Sequence, residues 1–227
     1  MHSAALDWIT SDAEKVIARH ARVSTKNPDR DEYAKLLRYC MIHGHWSVFE
    51  QAAASFEIIT SRDISAQIIR HRSFSFQELS QRYSNPFEIL PGVCAQSWDF
   101  QLRAQAEKNR QSSAEPLSEA EDRKFKERLW SFNLLAQSLY YDMVSAGVAR
   151  ECARKVLPLY TPTKIHMQGT IRSFVHYVGL RGQEDTQLEH RLIAHQIGAI
   201  LAKELPTLAS ALKEVDRPEL SGWSTIL

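Results

Sequence analysis

Cysteine is scarce: Cys40, Cys94 and Cys152 are the only three in 227 residues. They are odd in number, far apart and in no CxxC pair, which excludes a disulfide framework and a zinc knuckle and fits a reducing cytoplasm. Charge of one sign is also lacking. Twenty-eight Lys and Arg against 27 Asp and Glu leave +1, so the molecule as a whole has no attraction for nucleic acid or an anionic membrane, and any anion binding must be local. No apolar run approaches the roughly 18 residues of a membrane span, and MHSAALDWITSDAEK lacks the basic start and unbroken apolar stretch of a signal peptide. A soluble, cytoplasmic protein is expected. There is no glycine-rich dinucleotide loop, no GxSxG nucleophile elbow and no HExxH, so covalent chemistry led by a protein nucleophile is not indicated.

The length fits one domain over residues 1–227, with an exposed loop or insertion at about 100–117 where the chain turns polar and charged. Ser11 and Glu14 form a capping-box pattern that predicts a helix over 11–23, and DEYAKLLRYCMIHG predicts a second, ending at Gly44. AAASFEIIT reads as a strand, and SRDISAQIIRHR returns to helical spacing. Ser118 and Glu121 make another capping box. It opens a long helix whose apolar positions are Phe125, Leu129, Phe132, Leu135, Leu139 and Met143. VARECARKVLP, HMQGTIRSFVHYVGLR and DTQLEHRLIAHQIGAILAKEL are all amphipathic at helical period. The expected architecture is α+β, with helices packed on a small, mainly antiparallel sheet.

The densest polar stretch is RHRSFSFQELSQRYS, residues 70–84. If 75–83 is extended, Phe76, Glu78, Ser80 and Arg82 share one face, so an acceptor, a hydroxyl and a guanidinium stand roughly 6 to 7 Å apart along a strand. That set suits a ligand with both an anionic group and hydrogen-bonding ring edges, as a nucleotide has. Gln67 lies three residues before Arg70 and four before His71, so their side chains can converge. A generic basic triplet at a helix end would only complement the helix dipole; extension of the polar pattern through Arg82 favours a site.

Other constellations are weaker. His43 and His45 could chelate a metal, but two histidines without a carboxylate pattern carry little, and no metal is expected. Arg172 and His176, four apart, are explained by a solvated helix face. Arg150 and Arg154 are explained by helix-end charge.

RHRxxSxxxxSxR, satisfied by Arg70, His71, Arg72, Ser75, Ser80 and Arg82, is similar to the signature of the flavin-dependent thymidylate synthases. ARVS at 21–24, HGHWSVFE at 43–50, RECARKVLPL at 150–159, IRSFVHYVGLR at 171–181 and the following Gln187 and Glu189 resemble family segments in family order. The resemblance covers most of 20–190 and is weakest across 95–140.

The resemblance implies methylation of dUMP to dTMP, with methylenetetrahydrofolate as carbon donor, FAD as redox intermediary and NADPH as reductant. It implies a homotetramer whose flavin sites are shared between subunits, and small-molecule substrates rather than nucleic acid or membrane. By the same resemblance Gln67, Arg70, Glu78, Leu79, Ser80, Gln81, Arg82, Arg154 and Arg181 hold dUMP. Ser47, Glu50, Arg70, His71, Arg72, Glu78, Thr170, Arg172, His176 and Leu180 contact FAD. Arg181, Ser80 and His45 carry the catalytic roles, Arg181 by polarising the uracil as charge develops on it. The family does not attack the uracil with cysteine, so Cys40, Cys94 and Cys152 are expected to be buried thiols.

The chain departs from common family residues at Gln51, Gln77, Thr170, His176 and Asp185, none a fixed position of the signature. By the resemblance, Thr170, His176 and Asp185 fall among positions that touch FAD in relatives, which implies that flavin is held differently and more loosely. The competing readings are a nucleic-acid-binding module using the RHR and RY residues as phosphate contacts, a metal-dependent nucleotide hydrolase built on His43 and His45, and a flavoprotein that keeps the fold without the activity.

Overall fold

The computed structural model describes residues Met1–Leu227. Strands β1 (Ser3–Ile9), β2 (Ala53–Ser61), β3 (Phe74–Glu78), β4 (Arg103–Gln105), β5 (Ser113–Pro116) and β6 (Pro162–Thr170) alternate with helices α1 (Ala13–Ala21), α2 (Ala34–Ile42), α3 (Arg62–Ile68), α4 (Pro86–Ile89), α5 (Pro91–Cys94), α6 (Glu119–Ser145), α7 (Arg150–Ala153), α8 (Ile171–Arg181), α9 (Leu188–Glu204) and α10 (Pro206–Leu212). The main sheet has the order β1-β2-β6-β3, and β4 pairs with β5 in a separate antiparallel ribbon.

Strand direction follows from hydrogen bonds at the strand ends. The Thr10 N–H donates to the Ala53 carbonyl, joining the end of β1 to the start of β2. Ile171 N–H reaches Ala52 O, and Arg62 N–H reaches Thr161 O, so each end of β2 lies beside the opposite end of β6. Leu79 N–H donates to Lys164 O, just past the end of β3 and near the start of β6. These pairings are antiparallel, and the architecture is α+β, as the sequence indicates.

The chain divides into two compact units. One comprises Ile59–Gln67 and Glu78–Ile165 with Met1; the other comprises His2–Ile58, Ile68–Gln77 and His166–Leu227. In the second, Phe174 of α8 packs on Phe56 and Phe74 with ring centroids 5.0 and 4.8 Å apart. Gly169 of β6 lets the Phe74 ring lie against the backbone, since a Cβ there would meet the ring at 2.4 Å. β1 is missing from the sequence reading. It is an outer strand of the sheet whose Ala4 N–H is satisfied by Gln196 Oε1 of α9 at 2.8 Å. In the first unit, Asn85 caps α4 through Phe87 N–H, and α6 buries Asn133, Ala136 and Tyr140.

Several sequence expectations need correction. The Ser11–Glu14 capping box does not form: α1 starts after Asp12, which is left-handed at φ +50°, with no side-chain cap. Glu14 is buried and accepts from Leu208 N–H at 2.8 Å, so an orphan donor of α10 outcompetes the local cap. β3 stops at Glu78, because Ser80 O accepts from both Tyr83 and Ser84 N–H and turns the chain. The shared-face argument therefore fails beyond Glu78. HMQGT belongs to β6 rather than to a helix, and Thr170 ends the strand and caps α8. Residues 103–116 carry the β4–β5 ribbon within the mostly exposed 100–117 region. On α6, Phe125, Phe132, Leu135 and Leu139 are exposed at 43 to 66%, so the stripe that predicts the helix faces outward. Cys40 and Cys94 are buried, but Cys152 on α7 is exposed.

Candidate functional site

The residues singled out by the sequence fall into two groups, one in each unit. Gln67, Glu78, Leu79, Ser80, Gln81, Arg82 and Arg154 lie in the first. His45, Ser47, Glu50, Arg70, His71, Arg72, Thr170, Arg172, His176, Leu180 and Arg181 lie in the second.

In the first group, Glu78 ends β3 with one carboxylate oxygen, Oε1, held by three partners. Ser65 Oγ donates at 2.5 Å, Thr163 Oγ1 at 3.0 Å, and the Arg62 guanidinium pairs at 2.5 Å. Sequence reasoning missed all three partners. Arg62 and Ser65 are three apart on α3, which places them on one face, but nothing in the sequence links Thr163 to them. Beyond Glu78, Leu79 bonds the β6 edge through its N–H, and Ser80 lies exposed on the turn. Gln81 is only 8% exposed, and its Nε2 has no acceptor. Arg82 meets Glu151 of α7 at 3.2 Å, both side chains being more than half exposed. Arg154, half-buried at the start of a short 3-10 turn, makes no ion pair or side-chain hydrogen bond.

In the second group, Arg181 closes α8 and donates its Nε–H to His71 Nε2 at 2.9 Å. Guanidinium is always a donor, so this imidazole nitrogen is the acceptor and the ring proton is on Nδ1. Burial, then the Arg181 and Arg70 charges, push His71 down to about 4. Tyr177, one turn before Arg181, presents its ring to His71 with centroids 5.0 Å apart at 81°. Its hydroxyl lies 3.1 Å from His190 Nε2 of α9. Burial foremost, then the Arg181 charge, pushes the fully buried His190 down to about 3, and burial pushes the Tyr177 phenol up. Neither residue was singled out by sequence; the spacing of Tyr177 four before Arg181 is the one signal that could have found it.

Arg172 in the first turn of α8 pairs with Glu50, and Thr170 Oγ1 accepts from Ser173 N–H as the helix cap. His176 lies edge-on to Trp46, centroids 4.6 Å apart, and is pushed down by burial and Arg172. The Arg217 guanidinium covers Trp46 at 5.9 Å. Arg70 and Arg72 are exposed and make no ion pair or hydrogen bond. His45 and Ser47 are exposed, with the His45 ring 5.6 Å from Tyr39, and Gly44 between the two histidines takes φ +71°. Leu180 is 46% exposed. No group of three or more His, Cys, Asp or Glu side chains is placed to hold a metal ion, and no helix is long and apolar enough to cross a membrane.

The family model described as "Thymidylate synthase complementing protein" matches residues 6–207. A flavin-dependent thymidylate synthase of Synechocystis sp. is 42% identical over 201 residues, covering 88% of this chain and 89% of that protein. A probable flavin-dependent thymidylate synthase of Paramecium bursaria Chlorella virus 1 is 43% identical over 204 residues, covering 88% and 90%. In fold, the chain is similar to the crystal structure of PolB from Streptomyces cacaoi, a UMP/dUMP methylase bound with 5-Br dUMP. The TM-score is 0.79, identity 22%, and coverage 97% of both chains.

Proposed function

The chain belongs to the thymidylate synthase complementing protein family, that of the flavin-dependent thymidylate synthases, and from that premise we propose that it converts dUMP to dTMP by reductive methylation. Methylenetetrahydrofolate supplies the carbon, NADPH the reducing equivalents, and FAD carries them.

The observation that carries this reading is unspent positive charge in the segments that resemble the family. Arg70, Arg72 and Arg154 have no anionic partner in a chain of net charge +1, and Arg82 has only an exposed one. Guanidinium groups left in this way suit phosphate oxygens, which they bind bidentately. In the first unit Gln67, Glu78, Leu79, Ser80, Gln81, Arg82 and Arg154 serve dUMP, with Arg82 and Arg154 on its phosphate. The orphaned buried Nε2 of Gln81 is a donor waiting for an acceptor.

The second unit's donor set fits a flavin dinucleotide. Arg70, Arg72 and Arg172 offer cations for its diphosphate, with Arg70 also serving dUMP. Ser47, Glu50, His71, Thr170, His176 and Leu180 supply polar and apolar contacts. When bound, FAD supplies hydride chemistry. Arg181 acts on the pyrimidine: its partner His71 is a neutral imidazole rather than a carboxylate, so the guanidinium charge remains available to stabilise charge developing on the ring. Ser80 and His45 complete the catalytic set as exposed side chains able to order substrate.

Cysteine attack on the uracil is not needed, and burial raises the Cys40 thiol and pushes Cys94 up to about 12, which holds both protonated. The exposed apolar stripe of α6 supports a homotetramer, since apolar surface of that kind is commonly covered by another subunit. We take residues 1–227 as one functional domain working in the cytoplasm.

The test is product formation: purified protein with FAD, NADPH, methylenetetrahydrofolate and dUMP yields dTMP and tetrahydrofolate, separated by chromatography. Turnover that persists without added folate, or none with every component present, rejects the reading.

A further inference from the structure

Resting on the thymidylate synthase reading, we propose that Tyr177 and His190 are positioning residues: they fix the His71 ring, whose Nε2 in turn fixes the direction in which Arg181 presents its guanidinium.

The chain of contacts runs through one unit. His190 of α9 is 0% exposed, and its Nε2 meets the Tyr177 hydroxyl at 3.1 Å. Tyr177 is 2% exposed, and its ring stands edge-on to His71 at 5.0 Å and 81°; His190 itself lies 6.2 Å from His71 at 85°. His71 Nε2 then accepts the Arg181 Nε–H at 2.9 Å. Rotation of the His71 ring by half a turn would present carbon and an N–H where Arg181 needs an acceptor. Two rings packed at right angles to it oppose that rotation, and the hydroxyl–imidazole bond holds one of them in place.

A phenylalanine and a leucine would fill the same space without burying a hydroxyl and an imidazole. A polar pair in a core is costly unless each member is satisfied, and its return is a single geometry. Here that geometry ends at Arg181, whose side chain meets a neutral imidazole rather than a carboxylate. The effect belongs to the chemical step, because a guanidinium free to turn loses alignment with charge that appears only as the ring reacts.

The experiment compares FAD-reconstituted wild type with Tyr177→Phe, His190→Leu, His190→Gln and His71→Leu, and with His190→Leu combined with His71→Leu. Tyr177→Phe and His190→Leu are expected to lower kcat about tenfold with KM for dUMP within about twofold, because the lost interaction is made in the transition state. His190→Gln, which returns a hydrogen-bonding group at the Nε2 position, restores most of the rate. In the double variant His190→Leu adds nothing to His71→Leu, since it acts through that ring. Tyr177→Phe keeps the ring and serves if His190→Leu does not fold. Wild-type kcat per FAD-loaded enzyme in Tyr177→Phe, or losses that multiply in the double variant, overturns the proposal while leaving the function intact. A wild type that makes no dTMP overturns both.

Discussion

Arg82 and Glu151 face each other at 3.2 Å with side chains 67% and 56% exposed. An ion pair so open to water contributes about 0 to 1 kcal/mol, whereas a guanidinium bound to phosphate makes stronger, charge-assisted bonds. Glu151 is therefore a weak competitor for Arg82, and on the proposed reading a nucleotide phosphate displaces it.

Arg82→Ala should weaken dUMP binding by about 1.5 to 3 kcal/mol, roughly 10- to 150-fold, with flavin content near wild type. Isothermal titration with dUMP and the flavin-to-protein absorbance ratio measure the two quantities. An unchanged dUMP affinity removes Arg82 from the nucleotide.

Glu78 is held by Arg62, Ser65 and Thr163 and is 19% exposed, so its removal strands a partly buried guanidinium and two hydroxyls. Glu78→Ala should lower unfolding free energy by about 1 to 3 kcal/mol in urea titrations, beyond any loss of ligand affinity. Wild-type stability would mean the three bonds exchange freely with water.

His71 and His190 sit at about 4 and about 3, below the ordinary 6.5. Below pH 6.5 the unfolded chain takes up protons that the folded chain refuses, so this part of the stability is complete above pH 6.5 and declines toward pH 4. The melting temperature should fall over that window, and His190→Gln should make the slope shallower. An equal slope in the variant would show that His190 titrates normally.

Thr170 and His176 are already engaged within the protein, one capping α8 and the other against Trp46. FAD should bind wild type and His176→Asn with affinities differing by at least about threefold, a difference of about 0.7 kcal/mol. Equal, family-like affinities in a fluorescence titration of apoprotein would retire the idea that flavin is held differently here.

Periodicity made α2, α6, α9 and β2 legible, because each carries its pattern within a single segment. β1 was not legible: none of its residues is buried, so it lacks the buried alternation that marks a strand. HMQGT read as helix because strand and helix meet without a break at Thr170, whose hydroxyl begins α8. Arg70, Arg72 and Arg82 stand out by their spacing in residues 70–84, whereas Arg154, Arg172 and Arg181 enter the candidate site only through the family resemblance. The partners of Glu78, and the rings behind His71, were not, since each is supplied by an element distant in sequence and only folding brings it near.

The most direct measurement is the visible spectrum of FAD-reconstituted protein under anaerobic conditions, followed through NADPH and then methylenetetrahydrofolate with dUMP present. A bound-flavin spectrum should bleach with NADPH and recover when the folate is added, with dTMP formed in step. Protein that takes up no flavin, or flavin that bleaches and recovers without dTMP, would contradict the assignment of residues 70–84 to a nucleotide and flavin site.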